Sequence, residues 1–304
     1  MQESKYIWMN GTLVPWHDAK IHVLSHTLHY GDGAFEGIRV YKTELGSAIF
    51  RLNEHLERLK YSANVVDISI PYSIKELADA TILLLKENGL EQGYIRPLAI
   101  HGYGVMGVPP RNSPVDVILA AWPWGAYLPV ESVDIKVSKY IRIHPRSTVA
   151  DAKICGHYVN GVLAALELKG TKYHEALFLD ESGLITEGPG ENFFIVNNGK
   201  VTTPPLGKIL AGITRSTVMG IIDDLGIPLE EREIPLQEAL NSDEAFFTGT
   251  AAEVTSINSI DDMVIGSGGV GSVTARIKER YLDVVYGRCL DRNPVYKSYL
   301  TFVK

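Results

Sequence analysis

Lys153 stands in the small-residue stretch Asp151-Ala152-Lys153-Ile154-Cys155-Gly156-His157-Tyr158, between a strand region and a helix pattern. An amine becomes a nucleophile when burial or nearby cations favour its neutral form. The stretch alone does not prove that chemistry, because the chain has sixteen lysines and most must be solvated. Tyr158, five residues on, could offer a hydroxyl to the same pocket. Glu187 lies among glycines in Thr186-Glu187-Gly188-Pro189-Gly190-Glu191-Asn192. Such a carboxylate is ordinarily an exposed loop charge; it gains a chemical role if it faces a ring nitrogen that must stay protonated.

Two further stretches have the composition of anion sites. Gly212-Ile213-Thr214-Arg215 opens an apolar-periodic helix, where free N–H groups and the helix dipole favour a phosphate and Thr214 could add a hydroxyl. Read by itself, this is a plain N-cap. Gly249-Thr250-Ala251-Ala252 follows a strand, so small residues let N–H groups converge on an anion; a simple turn has the same signature. Gly31-Asp32-Gly33-Ala34-Phe35-Glu36-Gly37 is not GxGxxG and runs into a strand, which disfavours a dinucleotide fold. Gly266–Ser272 lacks the ending of a P-loop. His17, His22, His26 and His29 cluster near the start, but no cysteine or well-spaced carboxylate completes a set, so no metal is expected.

The elements that would position these residues follow from pattern. At 304 residues the chain suggests about two domains. Charged residues are 21% and hydrophobic ones 45%, which excludes a disordered or fibrous chain. A net charge of −7 leaves no basic footprint for nucleic acid. Two distant cysteines form no CxxC and fit a reducing compartment. The N-terminus does not read as a secretory signal, and no apolar run approaches a membrane span, so a cytoplasmic enzyme is expected.

Asn10-Gly11 between Tyr6–Met9 and Thr12–Val14 predicts a hairpin. A strand is expected over Phe35–Tyr41. Leu52, Leu56, Leu59 and Ala63 recur at helical spacing with Asn53 as the N-cap, and Ser73 with Glu76 forms a capping box for a helix stopped at Gly89. Strands Tyr94–His101 and Val115–Trp124 complete an α+β domain, residues 1–122. A linker is placed at 123–131. The remainder, 132–304, reads as a larger barrel-like or layered α/β domain, with strands at Val133–Ile143, Glu175–Asp180, Asn192–Val196 and Ala245–Thr248. Its helices are expected at His157–Lys169, Thr214–Leu225 and Ser272–Tyr286.

In this order the pieces resemble the fold-type IV pyridoxal-phosphate enzymes, and within them the branched-chain amino acid aminotransferases. The likeness runs from Tyr6-Ile7-Trp8 to the helix containing Arg276. Its pieces are Tyr30-Gly31 through Phe35-Glu36-Gly37-Ile38-Arg39, Glu54-His55-Leu56-Glu57-Arg58-Leu59, Tyr94-Ile95-Arg96-Pro97-Leu98 and Pro123-Trp124-Gly125-Ala126-Tyr127-Leu128. The rest are Ala152-Lys153, Glu187-Gly188 with Glu191-Asn192, Gly212–Arg215 and Gly249–Glu253. The resemblance implies a two-domain fold, with a small α+β domain and a larger barrel-like α/β domain. Lys153 would form the Schiff base with pyridoxal phosphate and shuttle the proton between substrate Cα and cofactor C4′. Tyr158 would bond the cofactor O3′, and Glu187 would partner its pyridine nitrogen. Arg58, Ile213, Thr214 and Thr250 would form the phosphate cup.

By the same resemblance the Thr250 and Ala251 N–H groups and the Tyr94 hydroxyl would take the α-carboxylate. Phe35, Tyr30, Tyr127 and Trp124 would wall the side-chain pocket, with Gly37 leaving room. Arg96 would meet the distal carboxylate of glutamate. Val108 would come from a neighbouring subunit, implying a homodimer at least, with a hexamer open. The implied activity moves the amino group of L-leucine, L-isoleucine or L-valine to 2-oxoglutarate, ping-pong through pyridoxamine phosphate, in branched-chain amino acid biosynthesis. The partners would be amino acids and 2-oxo acids, with no nucleic acid and no membrane. Two features depart from the bacterial pattern. Cys155-Gly156-His157 stands where Gly-Gly-Asn is usual, and Tyr30-Gly31-Asp32-Gly33 is shared with D-amino acid aminotransferases. A D-amino acid or (R)-amine aminotransferase is therefore the alternative, ahead of an aminodeoxychorismate-type lyase. A non-catalytic binding protein on this scaffold would be expected to lose Lys153 or Glu187.

Overall fold

The computed structural model describes residues 2–125 and 130–303. It divides into two compact units, Met1–Gly125 with Ala152–His157 and Val284–Lys304, and Ala126–Asp151 with Tyr158–Asp283.

The first unit is built on an antiparallel sheet. Its strands run in the order Leu300–Phe302, Gly46–Phe50, Ile38–Thr43, Gly93–His101, Val115–Trp122, Tyr6–Met9 and Thr12–Pro15, and Ala34–Phe35 pairs with the long strand Gly93–His101. The hairpin at Asn10-Gly11 forms because both residues take positive φ, 50° and 96°, as a tight two-residue turn requires. Helices Leu52–Val65 and Ile74–Asn88 bury Leu52, Leu56, Leu59, Ala63, Leu77 and Leu84 into one core with Ile95 and Leu119 of the sheet. Ser73 and Glu76 make the reciprocal capping box, and Gly89 closes the second helix at φ 64°. The first helix is not capped by Asn53. It begins two residues earlier than that cap would set, behind Arg51 at φ 53°, whose guanidinium lies 4.2 Å from the Tyr299 ring centroid and pairs with Glu54. The expected strand over Phe35–Tyr41 is interrupted at Glu36-Gly37, where Glu36 turns inward.

The second unit holds a mixed sheet. The order is Leu229–Glu231, Lys200–Thr203, Asn192–Asn197, Glu244–Gly249, Glu253–Ile260, Ser132–Val137 and Glu175–Leu177, with Met263–Val264 paired to Glu253–Ile260. Phe193, Ile195, Phe247, Ile257, Val133 and Ile135 form its core. The strand expected to reach Ile143 ends at Val137. The Ser138 and Arg142 N–H groups donate to Leu177 and Leu179 carbonyls, and the Ser138 hydroxyl donates to Glu167. Helices Tyr158–Glu167 and Ile213–Asp224 lie where the apolar spacing places them.

Candidate active site

In the first unit the backbone around Lys153 is pinned on both sides. Its N–H donates to Ser62 Oγ at 2.8 Å and its carbonyl accepts from Phe35 N–H at 3.1 Å. The Cys155 and Gly156 N–H groups donate to the Gly33 and Gly31 carbonyls at 2.7 and 2.8 Å. This approach needs glycine, since a Cβ on Gly31 would lie 2.9 Å from Gly156 Cα. His157 Nδ1 closes the segment on the Ala152 carbonyl at 3.1 Å. So held, the Lys153 ammonium lies 4.7 Å from the Phe35 ring centroid, a cation–π contact.

Further aromatic rings cluster in the same unit. Tyr94 packs on Trp122 and Trp124 with centroids 5.4 and 4.3 Å apart. The room that Gly37 leaves is filled by the Tyr94 hydroxyl, 1.8 Å from where a Cβ would stand. The Arg96 guanidinium lies 5.0 Å from the Phe35 centroid and 5.6 Å from that of Tyr94, and its buried Nε has no hydrogen-bond partner among the described residues. Arg58 grips Glu36 through Nε at 2.6 Å and Nη2 at 2.9 Å, and His55 Nδ1 meets the same carboxylate at 2.7 Å. Burial alone would raise the Glu36 carboxyl, but Arg58 and His55 outweigh it and hold it far below the usual range. Burial, helped by the Arg58 and Lys153 cations, lowers His55 in spite of Glu36. The Cys155 thiol is pushed up to about 11 by burial, partly offset by Arg96. Tyr30 is exposed, its ring 4.4 Å from that of His26, and Val108 is 75% exposed. Tyr127 lies outside the described residues.

Of the four clustered histidines, His26 alone enters a buried node. Its Nδ1 and that of His101 each lie 2.8 Å from Asp32 Oδ2, while its Nε2 meets the Gly107 carbonyl at 2.7 Å. These are hydrogen-bond spacings.

In the second unit Glu187 is buried, not an exposed loop charge. Its Oε1 accepts from Arg142 Nε at 2.5 Å. Its Oε2 accepts from Asn192 Nδ2 and the Leu210 N–H, both at 3.0 Å. Asn192 fits because Gly212 has no side chain: a Cβ there would lie 1.9 Å from Asn192 Oδ1. Gly212 is also the N-cap of Ile213–Asp224, and among the described residues that helix start has no side-chain cap hydrogen bond. Its first N–H groups have no intrahelical acceptor. Ile213 and Thr214 are buried there, and Arg215 turns to the Pro204 carbonyl and Glu231. Thr250 and Ala251 form the turn joining Glu244–Gly249 to Glu253–Ile260, against Gly190, whose carbonyl would be 3.0 Å from a Cβ on Gly249. Tyr158 opens the helix Tyr158–Glu167.

Sequence reasoning did not single out Arg142, Asn192 and Leu210 around Glu187, nor Glu36 and His55 around Arg58. A signal existed for Glu36, a carboxylate inside the apolar run from Ala34 to Ile38.

The model of a family described as amino-transferase class IV matches residues 33–260. A Pseudomonas aeruginosa protein named branched-chain-amino-acid aminotransferase is 44% identical over 286 residues, 93% of each chain. A solved T.th. branched-chain amino acid aminotransferase, complexed with N-(5'-phosphopyridoxyl)-L-glutamate, superposes with TM-score 0.95 at 43% identity and full coverage of both chains. The same enzyme complexed with 4-methylvaleric acid gives TM-score 0.93 at 41% identity, again over the whole of both chains.

Proposed function

The chain belongs to the class IV aminotransferases, and we propose that it moves the amino group of L-leucine, L-isoleucine or L-valine to 2-oxoglutarate with pyridoxal phosphate as carrier. The observation that carries this reading is Lys153, whose backbone is fixed on both sides while its amine rests over Phe35.

The donor set fits a phosphorylated pyridine. The uncapped first turn at Ile213 and Thr214 suits a phosphate dianion, as do the Arg58 guanidinium and the Thr250 turn. Glu187, approached by Arg142, Asn192 and Leu210, suits a ring nitrogen that must hold its proton. Tyr158 would donate to the O3′ oxygen. When bound, the ring supplies an electron sink for charge left at the substrate Cα. Lys153 would be the attachment point, and its amine would serve as the base and acid for the substrate Cα proton. The Thr250 and Ala251 N–H groups suit an α-carboxylate, and the Tyr94 hydroxyl is a further donor suited to one.

One pocket then serves two half-reactions. Phe35, Tyr30 and Trp124 accept a branched side chain, while Arg96 accepts the distal carboxylate of glutamate. The ligands solved in the T.th. enzyme, a glutamate adduct and a branched acid, support that pairing. Val108, 75% exposed beside exposed Met106 and Tyr103, supports a second copy covering this face, hence a homodimer at least. Among the described residues no helix is long and apolar enough to cross a membrane. With the activity we propose a role in branched-chain amino acid synthesis, in the cytoplasm. A panel of L- and D-amino donors with 2-oxoglutarate tests the assignment. Preference for L-leucine, L-isoleucine and L-valine is expected, and preference for D-isomers or (R)-amines would replace it.

A further inference from the structure

Glu36 has no exposed surface. A buried carboxylate persists only when its oxygens are paired, and here each is. Oε1 takes Arg58 Nε at 2.6 Å; Oε2 takes Arg58 Nη2 at 2.9 Å, His55 Nδ1 at 2.7 Å and the Gly37 N–H at 3.2 Å. His55 and Arg58 are three residues apart on the helix Leu52–Val65, so both reach the same point. A fork of this kind fixes the plane and the direction of a guanidinium, which a single hydrogen bond would leave free to rotate. A guanidinium carries five donors, so a fork to one carboxylate is compatible with a second anion.

We propose that Glu36 and His55 are positioning residues, which fix the Arg58 guanidinium in the orientation that receives the cofactor phosphate. The proposal rests on the reading of Arg58 as a phosphate anchor. An arginine already held in place loses less side-chain freedom when its anion arrives, so the fork converts a flexible contact into a preorganised one. His55 contributes by fixing the carboxylate itself, through a neighbouring turn of the same helix.

A residue needed only for folding would weaken every ligand alike, whereas a positioning residue acts on the phosphate alone. The test therefore compares pyridoxal 5'-phosphate with pyridoxal, which lacks that group. Dissociation constants for both are measured by fluorescence titration of the full chain after cofactor removal. Glu36→Gln is expected to weaken pyridoxal 5'-phosphate about tenfold or more, the scale of a charge-assisted bond, and to leave pyridoxal within about twofold. Glu36→Asp keeps the charge but shortens the reach, and it should restore only part of the preference. Equal weakening of both ligands, or no change in either, would overturn the proposal. If Glu36→Gln does not fold by circular dichroism, His55→Leu carries the test, with a loss of phosphate preference of roughly fivefold expected and an unchanged preference counting against it. Arg58→Gln separates the two readings. If it leaves the preference intact, the anchor role fails and the positioning role with it; if it removes the preference while the Glu36 and His55 variants keep it, the positioning role alone fails.

Discussion

Arg142 donates through Nε to Glu187 Oε1 at 2.5 Å, with 12% and 6% of the two side chains exposed. The Asn192 amide and the Leu210 N–H reach the other oxygen. Removing either partner of such a pair leaves a buried charge without compensation, which costs about 3–5 kcal/mol. Donors thus converge on Glu187 from three directions, so its carboxylate is held in one place and not left to a mobile loop.

Glu187→Gln keeps the volume and removes the charge. It also brings an amide NH2 up to groups that are themselves donors. The rate of Cα proton removal should fall roughly a hundredfold, the scale of one electrostatic group in an active site, with cofactor binding weakened less. Arg142→Gln should lower stability by about 3 kcal/mol in denaturant unfolding. A Glu187→Gln enzyme with full activity would take the residue out of the mechanism.

Lys153 should be the point of cofactor attachment. The loaded enzyme should show a visible absorption band, and borohydride should leave the cofactor on one peptide, the one containing Lys153. Lys153→Ala should lose the band and most of the turnover. Trapping on another lysine would defeat the assignment.

What could be read from the chain is what local chemistry decides. The Asn10-Gly11 turn, the Ser73–Glu76 capping box and the spacing of Leu52, Leu56 and Leu59 are each settled within a few residues. Lys153 and Glu187 are picked out only by the family resemblance, since their neighbours in sequence leave a solvated lysine and a loop carboxylate equally open. What holds them is not local. Glu36 meets Arg58 across 22 residues and Arg142 meets Glu187 across 45. Ile154 bridges to Ala34, which carries the segment Ala152–His157 into the first unit, away from its sequence neighbours. Asn53 misleads because it is a good capping residue just inside a helix that Arg51 starts instead.

The Glu36–His55 pair should make stability fall on acidification in two stages. Both groups sit below their ordinary values, 4.5 and 6.5, in the folded chain. The unfolded chain therefore takes up each proton first, and stability drops as pH falls. The His55 contribution begins below pH 6.5 and the Glu36 contribution below pH 4.5, each continuing down to the lowered folded value. Neither acts above about pH 7. A single proton gives a slope of at most about 1.4 kcal/mol per pH unit. His55→Asn, whose amide can replace the Nδ1 donor, should flatten the first stage and keep the second. Identical unfolding profiles between about pH 7 and 5 for the two proteins would contradict this.

Arg96 should separate the two half-reactions. On the proposed function, a pocket walled by Phe35, Tyr30 and Trp124 would receive a branched side chain in one and a γ-carboxylate in the other, and an unpaired carboxylate there would cost several kcal/mol. The guanidinium of Arg96 lies over the Phe35 and Tyr94 rings, 5.0 and 5.6 Å from their centroids. Its Nε is buried without a hydrogen-bond acceptor among the described residues. A guanidinium suits both states, because it lies flat against aromatic faces yet forms bidentate pairs with a carboxylate. Arg96→Gln should reduce the glutamate half-reaction by about tenfold to a hundredfold, the value of a charge-assisted pair at roughly 1.5–3 kcal/mol. The leucine half-reaction should change by much less. If Arg96 only supports the sheet, both half-reactions slow together or the protein unfolds. Single-turnover kinetics with L-glutamate and with L-leucine measure the two separately, and equal losses would defeat the role given to Arg96.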